Sequence, residues 1–139
     1  MIYAAIDTNV LVSALLNFHS NPGQVLLSVF NGETVPLVNE EILAEYREVL
    51  ARKKFHFPPD LVEIILTGLA ACSLNVSAVS IDLPEVADPK DLCFYAVTMS
   101  ERQSEEAFLV TGNLRHFPVK PFVVTPARFV EILQTVKRQ

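Results

Sequence analysis

Asp7 closes a short apolar run, IYAAI at 2–6, and Asn113 follows a second one, AFLV at 107–110. Asp91 falls in the first turn of a helical pattern that starts at Pro89, and Glu45 lies within another that starts at Glu40. Carboxylates gathered in one cleft repel each other and raise their pKa values unless a cation is shared. A hard cation such as Mg²⁺ or Mn²⁺ takes oxygen ligands and keeps several waters, often using few protein carboxylates plus a substrate phosphate. Such an ion lowers the pKa of bound water and stabilises a leaving oxygen. That chemistry needs no serine, cysteine or histidine nucleophile, and no G-x-S-x-G elbow is present.

Each of these residues also has a plainer reading. Asp7 suits the cap of the helical stretch that follows it. Asp88-Pro89-Lys90-Asp91 reads equally as a helix start, with Asp88 as cap and Asp91 meeting the helix dipole. Glu45 alone is an ordinary solvated glutamate, and Thr111-Gly112-Asn113 an ordinary turn. Helix geometry narrows the choice for Glu45. At about 100° per residue, Ile42, Leu43, Tyr46, Val49 and Leu50 share an arc of roughly 120°, with Glu45 about 40° outside it. A carboxylate on that seam between core and solvent is placed to line a cleft.

The elements that must position these groups alternate between strand and helix. Short strands are expected at 2–6, 34–38, 74–81, 107–110 and 122–125. Helices are expected at 10–16, 23–32, 40–54, 61–72, 89–103 and 126–136, with Asn39 capping the third and Pro126 opening the last. Residues 17–23 and 82–89 read as loops. This alternation predicts an α/β domain with a parallel sheet covered on both faces. Ligands in such sheets bind beyond the carboxyl ends of the strands, where the connectivity reverses.

Composition excludes several other classes. One domain is expected over 1–139, and 50% apolar against 19% charged residues excludes a disordered chain. The greasiest stretch, 61–72, is interrupted by Glu63 and is too short to cross a membrane. The opening MIYAAIDTNV lacks a signal-peptide pattern, so a cytoplasmic location is expected. Cys72 and Cys93 have no histidine at zinc-ligand spacing, and the four glycines are too scattered for a nucleotide-binding loop. The net charge of −5 does not advertise a nucleic-acid partner, although Arg47, Arg52, Lys53 and Lys54 cluster, as do Arg115 and His116. For each of these cations ordinary surface charge is an equal alternative.

Five segments together resemble the PIN-domain family of metal-dependent ribonucleases: DTNVLVSALL at 7–16, EEILAEYREVL at 40–50, DPKDLCFYAV at 88–97, VTGNLRHFP at 110–118 and VVTPARFVEIL at 123–133. More narrowly, the chain is similar to bacterial and archaeal PIN proteins that serve as toxins of toxin–antitoxin pairs. The resemblance implies a single PIN-type α/β/α sandwich with a central parallel sheet of four or five strands. It implies Asp7, Glu45 and Asp91 as ligands of Mg²⁺ or Mn²⁺, with Asp7 central and Asp88 the rival to Asp91. Asn9 and Ser13 would orient Asp7 or its waters, and Thr111 and Asn113 would form the fourth corner. Many PIN domains carry aspartate where Asn113 stands, so a second metal site is weakened here. The implied reaction is hydrolysis of RNA by metal-activated water, with Arg47, Arg52–Lys54 and Arg115–His116 as phosphate contacts. A small antitoxin and a homodimer, through 25–30 or 61–69, are the implied partners. The competing readings are an inert PIN scaffold that binds RNA or protein, a processing nuclease without an antitoxin, and a receiver-like fold.

Overall fold

Strand β1, Ile2–Ile6, forms the middle of the sheet because its residues are small or apolar and buried from Ala4 onward. A computed structural model describes residues 1–77, 86 and 88–137. Strands β2 (Thr34–Val38), β3 (Leu74–Asn75), β4 (Ala107–Val110) and β5 (Val123–Val124) complete a five-stranded, all-parallel sheet in the order β3-β2-β1-β4-β5. All four residues of β4 are buried, as expected for a strand covered on both faces.

Helices flank the sheet: α1 (Thr8–Leu16), α2 (Asn21–Phe30), α3 (Glu40–Leu50), α4 (Pro59–Ala71), α5 (Pro89–Glu101) and α6 (Pro126–Lys137). None of the helices among the described residues is long and apolar enough to cross a membrane. The α/β class and the parallel sheet flanked by helices match the sequence expectation.

Several boundaries differ for identifiable reasons. The segment 17–23 is not all loop: α2 starts at Asn21, where Ser20 accepts a capping bond from the Gly23 amide and Pro22 sits in the first turn. Gly23 is required there, since a Cβ would lie 2.1 Å from the Phe18 carbonyl oxygen. Helix α3 stops at Leu50 rather than continuing to Lys54. The chain turns extended at Arg52, makes one 3₁₀ turn at Lys53–Phe55, and passes His56 in the left-handed region. Stacked Phe55 and Phe57, 5.6 Å apart, pack there against the core and override the helix preference of the basic run. The strand expected at 74–81 pairs with β2 only at Leu74 and Asn75. Its residues 78–81 lie outside the described residues, as do 82–85 and 87 of the expected loop.

Candidate active site

In the strand order β3-β2-β1-β4-β5 the chain's direction of travel reverses between β1 and β4. A crevice opens at such a point beyond the carboxyl ends of the two strands. Asp7 stands at the end of β1, and Thr111 at the end of β4. Register holds the two ends together, with Ile6 opposite Val110 and the Asp7 amide donating to the Val110 carbonyl at 2.9 Å. Helices α1, α3 and α5 begin from this same edge, so Asp7, Glu45 and Asp91 all come from elements anchored there.

Asp7 occupies the N-cap position of α1, but its carboxylate makes no capping hydrogen bond. It instead accepts a 2.7 Å hydrogen bond from the Thr111 hydroxyl through Oδ2. The Thr111 oxygen in turn accepts from the Asn113 backbone amide at 3.0 Å. Thr111 is fully buried and Asp7 is only 4% exposed. Burial therefore raises the Asp7 pKa, and the Glu45 charge adds to this. The Thr111 hydroxyl, the Thr8 amide and His116 pull the other way.

Asp91 and Asp88 take different roles. Asp88 is the cap of α5, accepting from the Lys90 amide at 2.9 Å. Asp91, in the first turn, has its side chain 20% exposed and lies within reach of the charges of Asp7 and Glu45. Its pKa is pushed up to about 6 by burial, then by the charges of Asp7, Asp88 and Glu45, with His116 opposing. His116 Nδ1 lies 3.6 Å from Asp91 Oδ2.

Glu45 sits on the seam expected from its helical angle, with its side chain 16% exposed, and pairs with Lys90 Nζ at 3.4 Å. The neighbouring Tyr46 is fully buried and donates its hydroxyl to the Ile6 carbonyl at 2.5 Å. That bond ties α3 to the last residue of β1, directly before Asp7. Asn39 caps α3 and also contacts the Cys93 thiol of α5, which sets the two helices side by side.

Oxygen donors and mutually repelling carboxylates fit a hard divalent cation rather than zinc or a redox metal. Among the described residues no group of three His, Cys, Asp or Glu side chains is drawn close enough to cage an ion. The donor set accordingly suits an ion held by one or two carboxylates with water completing its coordination. The Thr8 hydroxyl is the one buried side-chain polar atom among the described residues without a protein partner. A buried unpaired hydroxyl costs about 1–3 kcal/mol. Its position beside Asp7 suits a site that takes up water or an ion.

The remaining sequence candidates divide. Asn9 and Ser13 are exposed on α1, and neither side chain hydrogen-bonds to Asp7 among the described residues. Asn113 is half-buried where β4 leaves the sheet, just before the 3₁₀ turn Leu114–His116, in which Arg115 and His116 are exposed and His116 reaches Asp91. Arg47 is paired with Glu63 of α4, and Arg52 with Glu48 at 3.1 Å. Arg52 lies beyond the C-terminal end of α3, on extended backbone. Lys53 and Lys54 follow it in the 3₁₀ turn, Lys54 lying over the Phe55 ring. Sequence reasoning missed the tie from Tyr46 to Ile6, the Lys90 contact to Glu45 and the orphaned Thr8 hydroxyl. Only Tyr46 carried a usable signal, since a tyrosine on a core arc needs a partner for its hydroxyl.

A protein-family profile described as PIN domain matches residues 3–115. The chain belongs to the PIN domain family. This is a nuclease-type fold, and PIN domains generally act as nucleases and typically use divalent metals. No curated protein and no solved structure matches the chain. The matched region contains Asp7, Glu45, Asp91 and Asn113.

Proposed function

We propose that the protein is a cytoplasmic, Mg²⁺- or Mn²⁺-dependent endoribonuclease and the toxin of a toxin–antitoxin pair. The observation that carries the nuclease reading is the Asp7 carboxylate. It is buried at the end of the central strand, released from helix capping and held by Thr111 beside two further acids. A structural aspartate would have been used as the cap, as Asp88 is.

When bound, the cation supplies an activated water and a counter-charge for the leaving oxygen of an RNA phosphodiester. Asp7 and Asp91 would hold it, with Glu45 completing the set directly or through water. Thr111 fixes the orientation of Asp7, and Tyr46 fixes the strand end from which Asp7 projects. His116 opposes the charge of Asp91 and, with its neighbour Arg115, would contact a phosphate of the RNA backbone. Phosphate contacts of this kind position a strand without reading its sequence.

The toxin assignment is supported by the order of the five sequence segments. The net charge of −5 is also compatible with an enzyme that holds RNA weakly and is restrained by a partner. A small adjacent reading frame encoding an antitoxin would separate this reading from a processing nuclease. Hydrolysis of a mixed single-stranded RNA, with Mg²⁺ or Mn²⁺ against EDTA and alongside Asp91→Ala, tests the activity. The proposal expects metal-dependent cleavage that the variant loses. Folded, antitoxin-free protein that leaves RNA intact in both metals would make it an inert scaffold instead, with Asn113 the first residue to change to aspartate.

A further inference from the structure

Lys90 is the one cation placed directly on Glu45 among the described residues. Its Nζ lies 3.4 Å from Glu45 Oε1, yet the lysine side chain is 58% exposed while the glutamate is 16% exposed. The backbone end of Lys90 is fixed, because its amide donates to Asp88. Both side chains line a cleft of about 120 Å³ between α3 and α5, together with Glu41, Ile42, Pro89 and Cys93. Asp7, Glu45 and Asp91 lie within reach of one another's charge, and the His116 imidazole lies against Asp91. Lys90 thus puts a permanent positive charge on one member of the acid set, Glu45.

A divalent ion entering the same set competes for Glu45 and repels the ammonium. The displaced side chain stands at the cleft mouth on a long stem, where a compact, strongly hydrated ammonium is suited to a phosphate oxygen. We propose that Lys90 is a positioning residue that exchanges Glu45 for an RNA phosphate when the divalent cation binds. The proposal rests on the nuclease reading above and adds a substrate contact to it. The exchange couples the two ligands: metal makes Lys90 available to RNA, so RNA is held best once the metal site is loaded.

The test is calorimetric titration of the full chain with Mn²⁺ alone. It is combined with fluorescence anisotropy of a short single-stranded RNA in Ca²⁺, with the RNA checked intact on a gel. Wild type, Lys90→Gln and Lys90→Arg are compared. Loss of one partly exposed ion pair tightens Mn²⁺ binding in Lys90→Gln by roughly two- to fivefold. The same variant weakens RNA binding and lowers its logarithmic salt slope by about 0.7, the value of one phosphate contact on a single strand. Lys90→Arg keeps RNA binding near that of wild type. A lysine that only ties α5 to α3 would change thermal stability and leave both affinities as they were. If either affinity in Lys90→Gln equals that of wild type, the exchange is wrong. Wild-type protein that binds Mn²⁺ and cleaves RNA in that case leaves the nuclease reading standing. Wild-type protein that does neither overturns both.

Discussion

Replacing Asp7 with asparagine separates what its carboxylate does for the fold from what it does for chemistry. The side chains are nearly isosteric, and the Thr111 hydroxyl can donate to an amide oxygen as it does to Oδ2 at 2.7 Å. Loss of charge assistance in that bond costs on the order of 1 kcal/mol. Against this, the folded protein no longer buries a charge at a position 4% exposed, and the effective penalty for burying an ion is several kcal/mol. Repulsion from Glu45 is also removed. The balance favours Asp7→Asn by on the order of 1–2 kcal/mol in EDTA, a rise in Tm of about 2–6 °C for a chain of this size. Hydrolysis should fall by more than about 100-fold, exceeding the 10–100-fold cost of altering a mere partner of a metal ligand. Scanning calorimetry of both proteins in EDTA and in Mn²⁺, beside the RNA cleavage assay, reads all of this. Wild type should gain Tm with Mn²⁺ and the variant should not. A variant that is less stable than wild type in EDTA yet keeps its Mn²⁺ response would refute the reasoning, since Asp7 would then be structural.

Three further outcomes follow from the same geometry. The Asp91 pKa of about 6 lies above its ordinary 3.8, so the folded, metal-free protein binds that proton more tightly than the unfolded chain. The stability this contributes is present below about pH 4 and is lost as pH rises through about 6; the difference in Tm between wild type and Asp91→Asn in EDTA, followed from pH 4 to 7, checks this sign. Mn²⁺ affinity should fall in turn as pH drops below about 6, where the cation must displace the Asp91 proton, and calorimetry in buffers of different ionisation enthalpy should detect its release. Tyr46→Phe removes the buried bond to the Ile6 carbonyl. It should cost about 1–2 kcal/mol of stability by denaturant titration while leaving Mn²⁺ binding in place.

Much of this arrangement is local and was legible in the sequence. The strands β1, β2 and β4 are short apolar runs, and the caps at Asn39 and Asp88 follow from residue type next to a helical pattern. The angle of Glu45 on α3 needed only the period of the helix. Contacts across the fold were not legible. Nothing in the spacing says that Lys90 reaches Glu45, that Arg47 is taken by Glu63, or that Tyr46 donates to Ile6, because each joins elements brought together only by the sheet order. The basic run at 52–54 misled for the same reason. Its helix preference and charge suggested a longer α3 carrying a phosphate-binding face, but burial of Phe55 and Phe57 ends the helix early. The cations are left beyond the C-terminal end of α3, in the 3₁₀ turn and the residue before it.

The central claim is that Asp7 and Asp91 hold a hard divalent cation at the β1–β4 crevice. The most direct measurement is a crystal structure of the wild-type protein grown in Mn²⁺ at pH 7.5, with anomalous data collected for manganese. The account predicts an anomalous peak in direct contact with the Asp7 carboxylate and shared with Asp91, directly or through one water. No peak at Asp7 under saturating Mn²⁺, with the carboxylate still bonded only to Thr111, would contradict it.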